Sequence, residues 1–183
     1  NNNTEPSRLL TVTFSRAAAA EMQKRYMREN NRTDSDIPEY STIHSFCLRS
    51  LMYSDKFIKK KRRLLCDSGD KNKILSDIWN RINASEYGLL TFEYLELISG
   101  TISKIKCFNG TEKESDIRKN IQIRNFDEIF NEYESYKRNN NMIDFDDMLS
   151  IMFEYLAEDS SFRKKISDKY DYIQVDEGQD LSY

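Results

Sequence analysis

The chain has 183 residues, 32% of them charged and 38% hydrophobic, a composition typical of a soluble globular protein with one core, or of one domain that carries an insertion. No run approaches the roughly 20 apolar residues of a membrane span, and the Asn-rich start has no signal-peptide pattern. The three cysteines are widely spaced without a Cys-x-x-Cys pair, which favours reduced thiols in a cytoplasm over a disulfide framework or a zinc site.

Charge is distributed unevenly around the net value of -3. Residues 1–66 hold 13 Lys/Arg against 7 Asp/Glu, whereas residues 67–183 hold 15 against 24. A basic first third in an acidic chain indicates contact with a polyanion on one face. A solvated basic face is the alternative interpretation.

The first predicted elements are a strand and a helix. Residues 9–14 form a short β-prone run, which predicts a buried strand. Ser15 can cap the helix that follows, and four consecutive alanines favour a helix over residues 17–29.

A second helix is predicted after the polar loop over residues 30–36. It begins near Ser41 or Thr42 and ends near Tyr53. Its apolar residues recur at helical spacing, which predicts a buried face. These residues are Ile43, Phe46, Cys47 and Leu51.

The block from residue 56 to residue 141 has a different character. It opens with the basic run at 59–63, and its periodicity then predicts only helices, so we interpret it as an all-helical insertion. The predicted helices are one capped by Asp67 or Ser68 that runs to Ile82, one over 92–106 and one over 126–137.

The last block returns to a helix over 145–158, a short helix over 162–169 and an apolar, β-branched strand over 172–176, which is typical of a buried parallel strand. This order predicts an α/β fold, with a parallel sheet interrupted by a helical subdomain. Two predicted strands are too few for a full sheet, so the chain is expected to be a piece of a larger domain. The expected division is 1–55, 56–141 and 142–183.

Asp176 and Glu177 follow directly on the last predicted strand. The carboxyl ends of parallel strands are where α/β sheets place ligands. Two carboxylates there can hold a hydrated magnesium ion and orient or deprotonate a water that attacks a phosphate. A solvated acidic pair is the alternative interpretation.

Thr13, Phe14, Ser15 and Arg16 lie at the predicted turn from the first strand to its helix. The helix N-terminus, with Ser15 and Arg16, suits a phosphate, and Phe14 can stack on a base. The alternative is that Phe14 belongs to the core and Ser15 is an ordinary cap.

Thr42, His44 and Ser45 repeat this pattern at the second helix start. A lone histidine without a Ser or Asp partner is usually a packed or surface residue, and no nucleophile–base pair is apparent. The acidic start of the helix at 144–149 is explained by the helix dipole alone. The chain also contains no Gly-rich phosphate loop.

In order and spacing, these segments resemble the UvrD/Rep/PcrA family of superfamily-one DNA helicases. That family shows T-F-T-N-K-A-A-x-E-M, T-[FI]-H-S-[FM]-C, D-F-D-D-[LM]-L and V-D-E-x-Q-D before [LT]-[SN]. The chain has similar residues at 13–22, 42–47, 144–149 and 175–182. The block at 56–141 matches the family in its predicted helical character more than in its individual residues.

The resemblance implies that the chain forms part of the parallel sheet of a RecA-like P-loop NTPase. It also implies that the parent protein uses ATP and Mg²⁺. It implies that Asp176, with Glu177, holds the metal, that Glu177 is the base, and that Gln179 senses the γ-phosphate. It implies that two motifs face single-stranded DNA. Their residues are Thr13, Phe14, Ser15, Arg16, Thr42, His44 and Ser45.

The chain departs from the family pattern at one cation. Arg16 stands where the family often has Asn, and Ala17 stands where it often has Lys. One cation has therefore moved by one position, which preserves a phosphate contact and changes its detailed geometry.

The resemblance also implies that the segment at 144–149 rejoins the insertion to the sheet, which is a structural role.

The resemblance leads to an expected function for the parent protein, which is ATP-dependent 3′-to-5′ translocation on single-stranded DNA and unwinding at junctions with duplex in repair or recombination. The run at 59–63 would contact duplex DNA ahead of the motor, or form a solvated face. Without the phosphate loop and a second motor domain, this segment alone is expected to be inactive. The alternatives are a non-enzymatic nucleic-acid-binding module and the motor of an AddA/RecB-type helicase–nuclease.

Overall fold

The computed structural model describes residues 5–31, 37–65 and 68–178, with no account of the side chain of residue 68. In chain order the elements are a 3₁₀ turn at Pro6–Arg8, β1 (Leu9–Thr13), α1 (Arg16–Asn30), β2 (Glu39–Thr42), α2 (Ile43–Leu51), α3 (Asp55–Lys59), β3 (Arg63–Leu64), α4 (Ser68–Ile82), α5 (Ala84–Tyr87), α6 (Phe92–Cys107), α7 (Glu112–Lys119), α8 (Phe126–Asn139), β4 (Met142–Ile143), α9 (Phe145–Glu158), α10 (Ser160–Ser167) and β5 (Tyr172–Val175). No helix within these described ranges is long and apolar enough to cross a membrane.

The chain divides into two compact units. The sheet unit comprises the described residues up to Lys59 and from Ile151 onward, and the helical unit comprises Lys60–Ser150. The sequence placed the corresponding boundaries after residues 55 and 141. The structure is mixed α/β with a small parallel sheet and mostly helices, which confirms the predicted fold class.

The described residues of the sheet unit form a sheet of three parallel strands in the order β2-β1-β5. Strand β2 was not predicted, because its four residues, Glu-Tyr-Ser-Thr, show no apolar alternation, and pairing with β1 accounts for their extended form. The second helix, predicted to begin near Ser41 or Thr42, begins at Ile43. Both residues belong to the strand, and Thr42 is the N-cap of α2.

One face of β1 forms part of the core of the sheet unit. Leu10 and Val12 are buried on this face and pack with Tyr170 and with two residues of α2, Ile43 and Phe46. The period-2 alternation of a strand places these two residues on the same side of the sheet. Helix α2 covers this side because its apolar residues recur at helical spacing.

The structure corrects one expectation about β5, which the sequence predicted to be buried. All four residues of the strand are exposed, with Ile173 at 56%. Among the described residues β5 pairs only with β1, so no described strand borders its other edge. An apolar sequence predicts a preference for burial, but the partners that would satisfy it are not among the described residues.

The core of the helical unit is formed by α4, α6 and α8. Its most deeply buried members follow helical spacing, as predicted for these three segments; they are Leu75, Ile78, Ile98, Ile102, Ile105, Ile129 and Tyr133. The expectation that residues 56–141 are all-helical is wrong at β3, which pairs in parallel with β4. Two-residue strands have no periodicity that a sequence can show.

Candidate nucleotide and nucleic-acid site

The carboxyl ends of β1, β2 and β5 lie side by side, because the three strands are parallel and adjacent. Thr13 at the end of β1 is in register with Thr42 at the end of β2. On the other side of β1, the backbone N–H of Asp176 donates to the carbonyl of Val12 at 2.9 Å. Thr13, Thr42 and Asp176 therefore share one edge of the sheet, which we call the strand-end edge.

The turn after β1 is fixed by the Thr13 side chain. Its hydroxyl donates to the carbonyl of Ser15 and accepts from the Ser15 backbone N–H, each at 3.1 Å. Ser15 in turn accepts from the N–H of Ala18 at 3.1 Å and caps α1. Thr13 is buried, so its hydroxyl shapes this turn, whereas Ser15 and the residues beside it face solvent.

Phe14 lies at the exposed tip of this turn. Its side chain is 69% exposed, which excludes the alternative that it is a core residue. Arg16 is the exposed first residue of α1. The turn therefore presents an aromatic ring, a hydroxyl and a guanidinium group at the positive end of a helix dipole.

The second predicted motif lies at the start of α2. The hydroxyl of Thr42 accepts from the backbone N–H of Ser45 at 3.2 Å and donates to the Ser45 hydroxyl at 2.9 Å. His44 and Ser45 are half-buried in the first turn of this helix. Because Thr13 and Thr42 are register partners, the N-termini of α1 and α2 begin at neighbouring points of the same edge, where both dipoles favour an anion.

Asp176 and Glu177 complete the strand-end edge next to β1. Asp176 is half-buried and Glu177 is exposed. Glu177 has a φ of 51°, in the left-handed region that costs a non-glycine residue about 1 kcal/mol. Gln179, the third residue predicted for this site, lies outside the described residues.

An open groove of about 610 Å³ borders Asp176 on the polar face of the sheet. Its lining includes Thr11, Gln174 and one face of α1. The cation on that face, Arg25, donates to the carboxylate of Glu29 at 3.0 Å. The groove therefore offers no unpaired described cation to a phosphate, and we do not assign it to the nucleotide.

A second charged cluster, which the sequence did not indicate, lies in the helical unit. We call it the ion cluster, and its members are Lys106, Glu134, Lys137, Asp144 and Asp147. Its three carboxylates lie close enough to suggest a metal site. Both lysine Nζ groups already lie among them and form ion pairs with all three carboxylates, so the protein's own cations occupy this site.

Asp144 is the centre of the ion cluster. Its carboxylate accepts from Lys137 at 2.9 Å, from Lys106 at 3.0 Å and from the Tyr133 hydroxyl at 2.9 Å. It also forms reciprocal backbone-to-side-chain hydrogen bonds with Asp147, of 2.8 and 2.9 Å, which cap α9. The helix dipole alone, which the sequence suggested as the reason for this acidic start, is therefore an incomplete account.

Comparison with known proteins shows that residues 1–183 match the UvrD/REP helicase N-terminal domain family. The chain is 30% identical over 183 residues to a probable DNA helicase II homolog of Mycoplasma capricolum. It is 25% identical over 180 residues to the ATP-dependent DNA helicase Rep of Buchnera aphidicola and 26% identical over 178 residues to the ATP-dependent DNA helicase PcrA of Staphylococcus aureus. These alignments cover 98%, 98% and 97% of the chain but 25%, 26% and 24% of the relatives, so the chain spans about a quarter of their length.

Proposed function

Since this chain belongs to the UvrD/REP helicase N-terminal domain family, we propose that it forms part of the first motor domain of an ATP-dependent DNA helicase. One observation carries the proposal. Two helix N-termini and a pair of carboxylates meet at the carboxyl ends of three adjacent parallel strands. This arrangement supports the proposal, because the helix N-termini suit DNA phosphates and the carboxylates suit a metal-bound nucleotide.

The DNA side of the proposed site is the strand-end edge at β1 and β2. Phe14 stacks on a base, because its ring is exposed and every base presents a π-face. Ser15, Arg16 and the start of α1 bind phosphate. His44 and Ser45 extend this surface at the start of α2. Thr13 and Thr42 act by holding the two turns, because their hydroxyls are engaged by the backbone.

The nucleotide side consists of Asp176, Glu177 and Gln179. Carboxylate oxygens suit Mg²⁺, which keeps several of its waters, and a half-buried Asp176 beside an exposed Glu177 fits such an ion. When bound, the ion neutralises phosphate charge. Glu177 orients the attacking water and takes its proton, and Gln179 senses the γ-phosphate.

The whole protein, and not this segment, is the proposed enzyme. The 183 residues contain no Gly-rich phosphate loop, which the whole protein must supply for hydrolysis. We assign the sheet unit to the motor and the helical unit to its insertion. We further propose 3′-to-5′ translocation on single-stranded DNA, unwinding at junctions with duplex, a role in repair or recombination, and a cytoplasmic location.

The test is ATP hydrolysis by the full-length protein with and without single-stranded DNA. Strong stimulation by DNA is expected. Glu177→Gln should lower turnover by about 10²-fold or more and retain ATP binding. Glu154→Gln, a carboxamide change at an exposed position of the sheet unit, should leave both unchanged. Full turnover in E177Q would remove Glu177 from the role of base, and no hydrolysis in any condition would point to a binding module.

A further inference from the structure

Glu39, the first residue of β2, joins three segments of the sheet unit through its carboxylate. Its Oε2 accepts from the Tyr170 hydroxyl at 2.5 Å and from Lys169 Nζ at 3.0 Å, and both of these residues lie just before β5. Its Oε1 accepts from the guanidinium group of Arg49, in the last turn of α2. One oxygen therefore faces the entry to β5 and the other faces α2. We call this set of contacts the Glu39 bridge.

The Glu39 bridge is partly shielded from water. The Glu39 side chain is 23% exposed, and Tyr170 is buried, with its ring edge-on to Phe46 of α2 at 6.1 Å between centroids. Arg49 also donates to the hydroxyl of Ser41, a buried residue, at 2.9 Å. Burial alone would raise the pKa of Glu39, but its three hydrogen-bond donors outweigh burial and hold the pKa below its ordinary value. The carboxylate is therefore ionised near neutral pH and keeps both cations.

The Glu39 bridge lies away from the strand-end edge, yet the elements that it joins both reach that edge. Glu39 and Thr42 are the first and last residues of β2, which places them about 10 Å apart. Helix α2 starts at the strand-end edge with His44 and Ser45 in its first turn, and β5 leads to Asp176 there. The bridge therefore connects a helix that carries part of the proposed DNA surface with the strand that carries the proposed nucleotide site.

The bridge restrains α2 in a way that the apolar core does not. Ile43 and Phe46 of α2 pack against Tyr170 and the buried face of β1, but apolar packing is non-directional. Charge-assisted hydrogen bonds are directional and shorter, and here they act on both sides of one carboxylate. A shift of α2 relative to β5 therefore has to break contacts of Glu39 or carry the entry to β5 with it.

We propose that Glu39 is a positioning residue that couples the two sides of the strand-end edge, so that DNA bound at α2 changes the affinity for a nucleotide at Asp176. The proposal rests on the function proposed above, since it takes DNA and Mg-ATP as the two ligands. Coupling of this kind is reciprocal and typically changes affinity by about 5- to 150-fold. Glu39 touches neither ligand, so its replacement should lower the coupling and leave each separate affinity nearly unchanged.

The experiment measures the affinity of the full-length protein for a labelled oligothymidylate, with and without Mg²⁺ and a nonhydrolysable ATP analogue. The ratio of the two dissociation constants is the coupling factor. Glu39→Gln removes the charge that holds Arg49 and Lys169 and should lower this factor by about threefold or more. The matched control is Glu29→Gln, which removes an exposed ion pair with Arg25 inside α1 and should leave the factor unchanged. Equal factors in E39Q and the unmodified protein would overturn the proposal.

Lys169→Met breaks the same bridge from the side of β5 and should lower the coupling factor as well. If both residues act through one bridge, the double variant should lower the factor no further than either single variant, and additive effects would overturn a shared bridge. The free energy of unfolding of each variant is measured in urea, because a merely structural role would lower this energy and leave the coupling factor unchanged.

The outcomes separate this proposal from the proposed function. DNA-stimulated hydrolysis and an equal coupling factor in the unmodified protein, E39Q and K169M would retain the motor and reject the Glu39 bridge. An unmodified protein with neither coupling nor DNA-stimulated hydrolysis would reject both.

Discussion

Lys137 Nζ and Asp144 Oδ2 lie 2.9 Å apart in the interior of the helical unit, with the two residues 2% and 3% exposed. Lys137 ends the apolar face of α8, and Asp144 is the residue just before α9. A buried charge is costly unless it is paired, and here each partner supplies that pair. This contact, supported by Lys106 and Tyr133, therefore fixes the return of the chain from α8 to α9.

Lys137→Met should destabilise the helical unit by about 3 kcal/mol, because it leaves the buried Asp144 carboxylate with a missing partner. Unfolding in urea can be followed through Trp79, the single tryptophan of the chain, which lies in this core. Lys119→Met is the matched control, since Lys119 pairs with Asp116 at an exposed position, and should change the free energy of unfolding by less than about 0.5 kcal/mol. Equal effects of the two substitutions would contradict a stabilising role for the buried pair.

Acid should destabilise the same unit through Asp144. Burial alone would raise the pKa of this carboxyl, but Lys106 and Lys137 outweigh burial and hold the pKa below its ordinary value. The unfolded chain then binds the proton first, at a pH near 4. The stabilisation is thus complete above about pH 4 and is lost as the pH falls toward the lower pKa of the folded state.

The measurement is the free energy of unfolding of the 183-residue chain between about pH 5 and pH 2. Asp144→Asn should lower this energy at pH 5 and flatten its fall with acid, because the titrating group has been removed. Asp116→Asn, at an exposed ion pair, should leave the fall as steep as in the unmodified chain. An equally steep fall in D144N would assign the acid sensitivity to other carboxyls.

The long helices were predictable from the sequence because burial imposes a period of 3.6 residues on them. Helix α4 and the helix over 145–158 illustrate this, with bounds within a residue of prediction. Strands β2, β3 and β4 were not predictable, because a strand of two to four residues shows no clear period. Their pairing also depends on partners that are distant in sequence. Thr13 and Thr42 were therefore identifiable only as residues near helix starts, and their register in the sheet was not predictable.

The burial of Lys137 was predictable from its spacing along the sequence. This lysine follows Ile129 and Tyr133 at intervals of four residues, so it lies on the buried face of α8. A lysine at such a position is costly to bury unless an acidic partner pairs with it. Which of the nearby carboxylates supplies this partner depends on tertiary packing, and only the structure identifies Asp144 and Asp147.

The exposed strand β5 should make the isolated 183-residue chain self-associate. An apolar strand with no described neighbour on one edge is a template for pairing with another strand. Ile173→Lys should reduce the mass measured by sedimentation at high concentration. Ile58→Lys, on the exposed side of the helix α3, adds the same charge away from the strand and should not. A monomeric unmodified chain, or equal effects of both substitutions, would reject association through β5.

Phe14→Ala should weaken binding of the full-length protein to single-stranded DNA by about 1–3 kcal/mol, the usual value of one base stacked on an aromatic ring. Its side chain is 69% exposed, so stability should change little. Phe153→Ala is the matched control, because this ring is 75% exposed in the sheet unit and lies far in sequence from the strand-end edge. Titration with a labelled oligonucleotide gives both affinities. If F14A binds as tightly as F153A, the ring at the start of α1 does not stack on DNA, and the proposed DNA surface must then depend on phosphate contacts from Ser15, Arg16 and the helix N-termini.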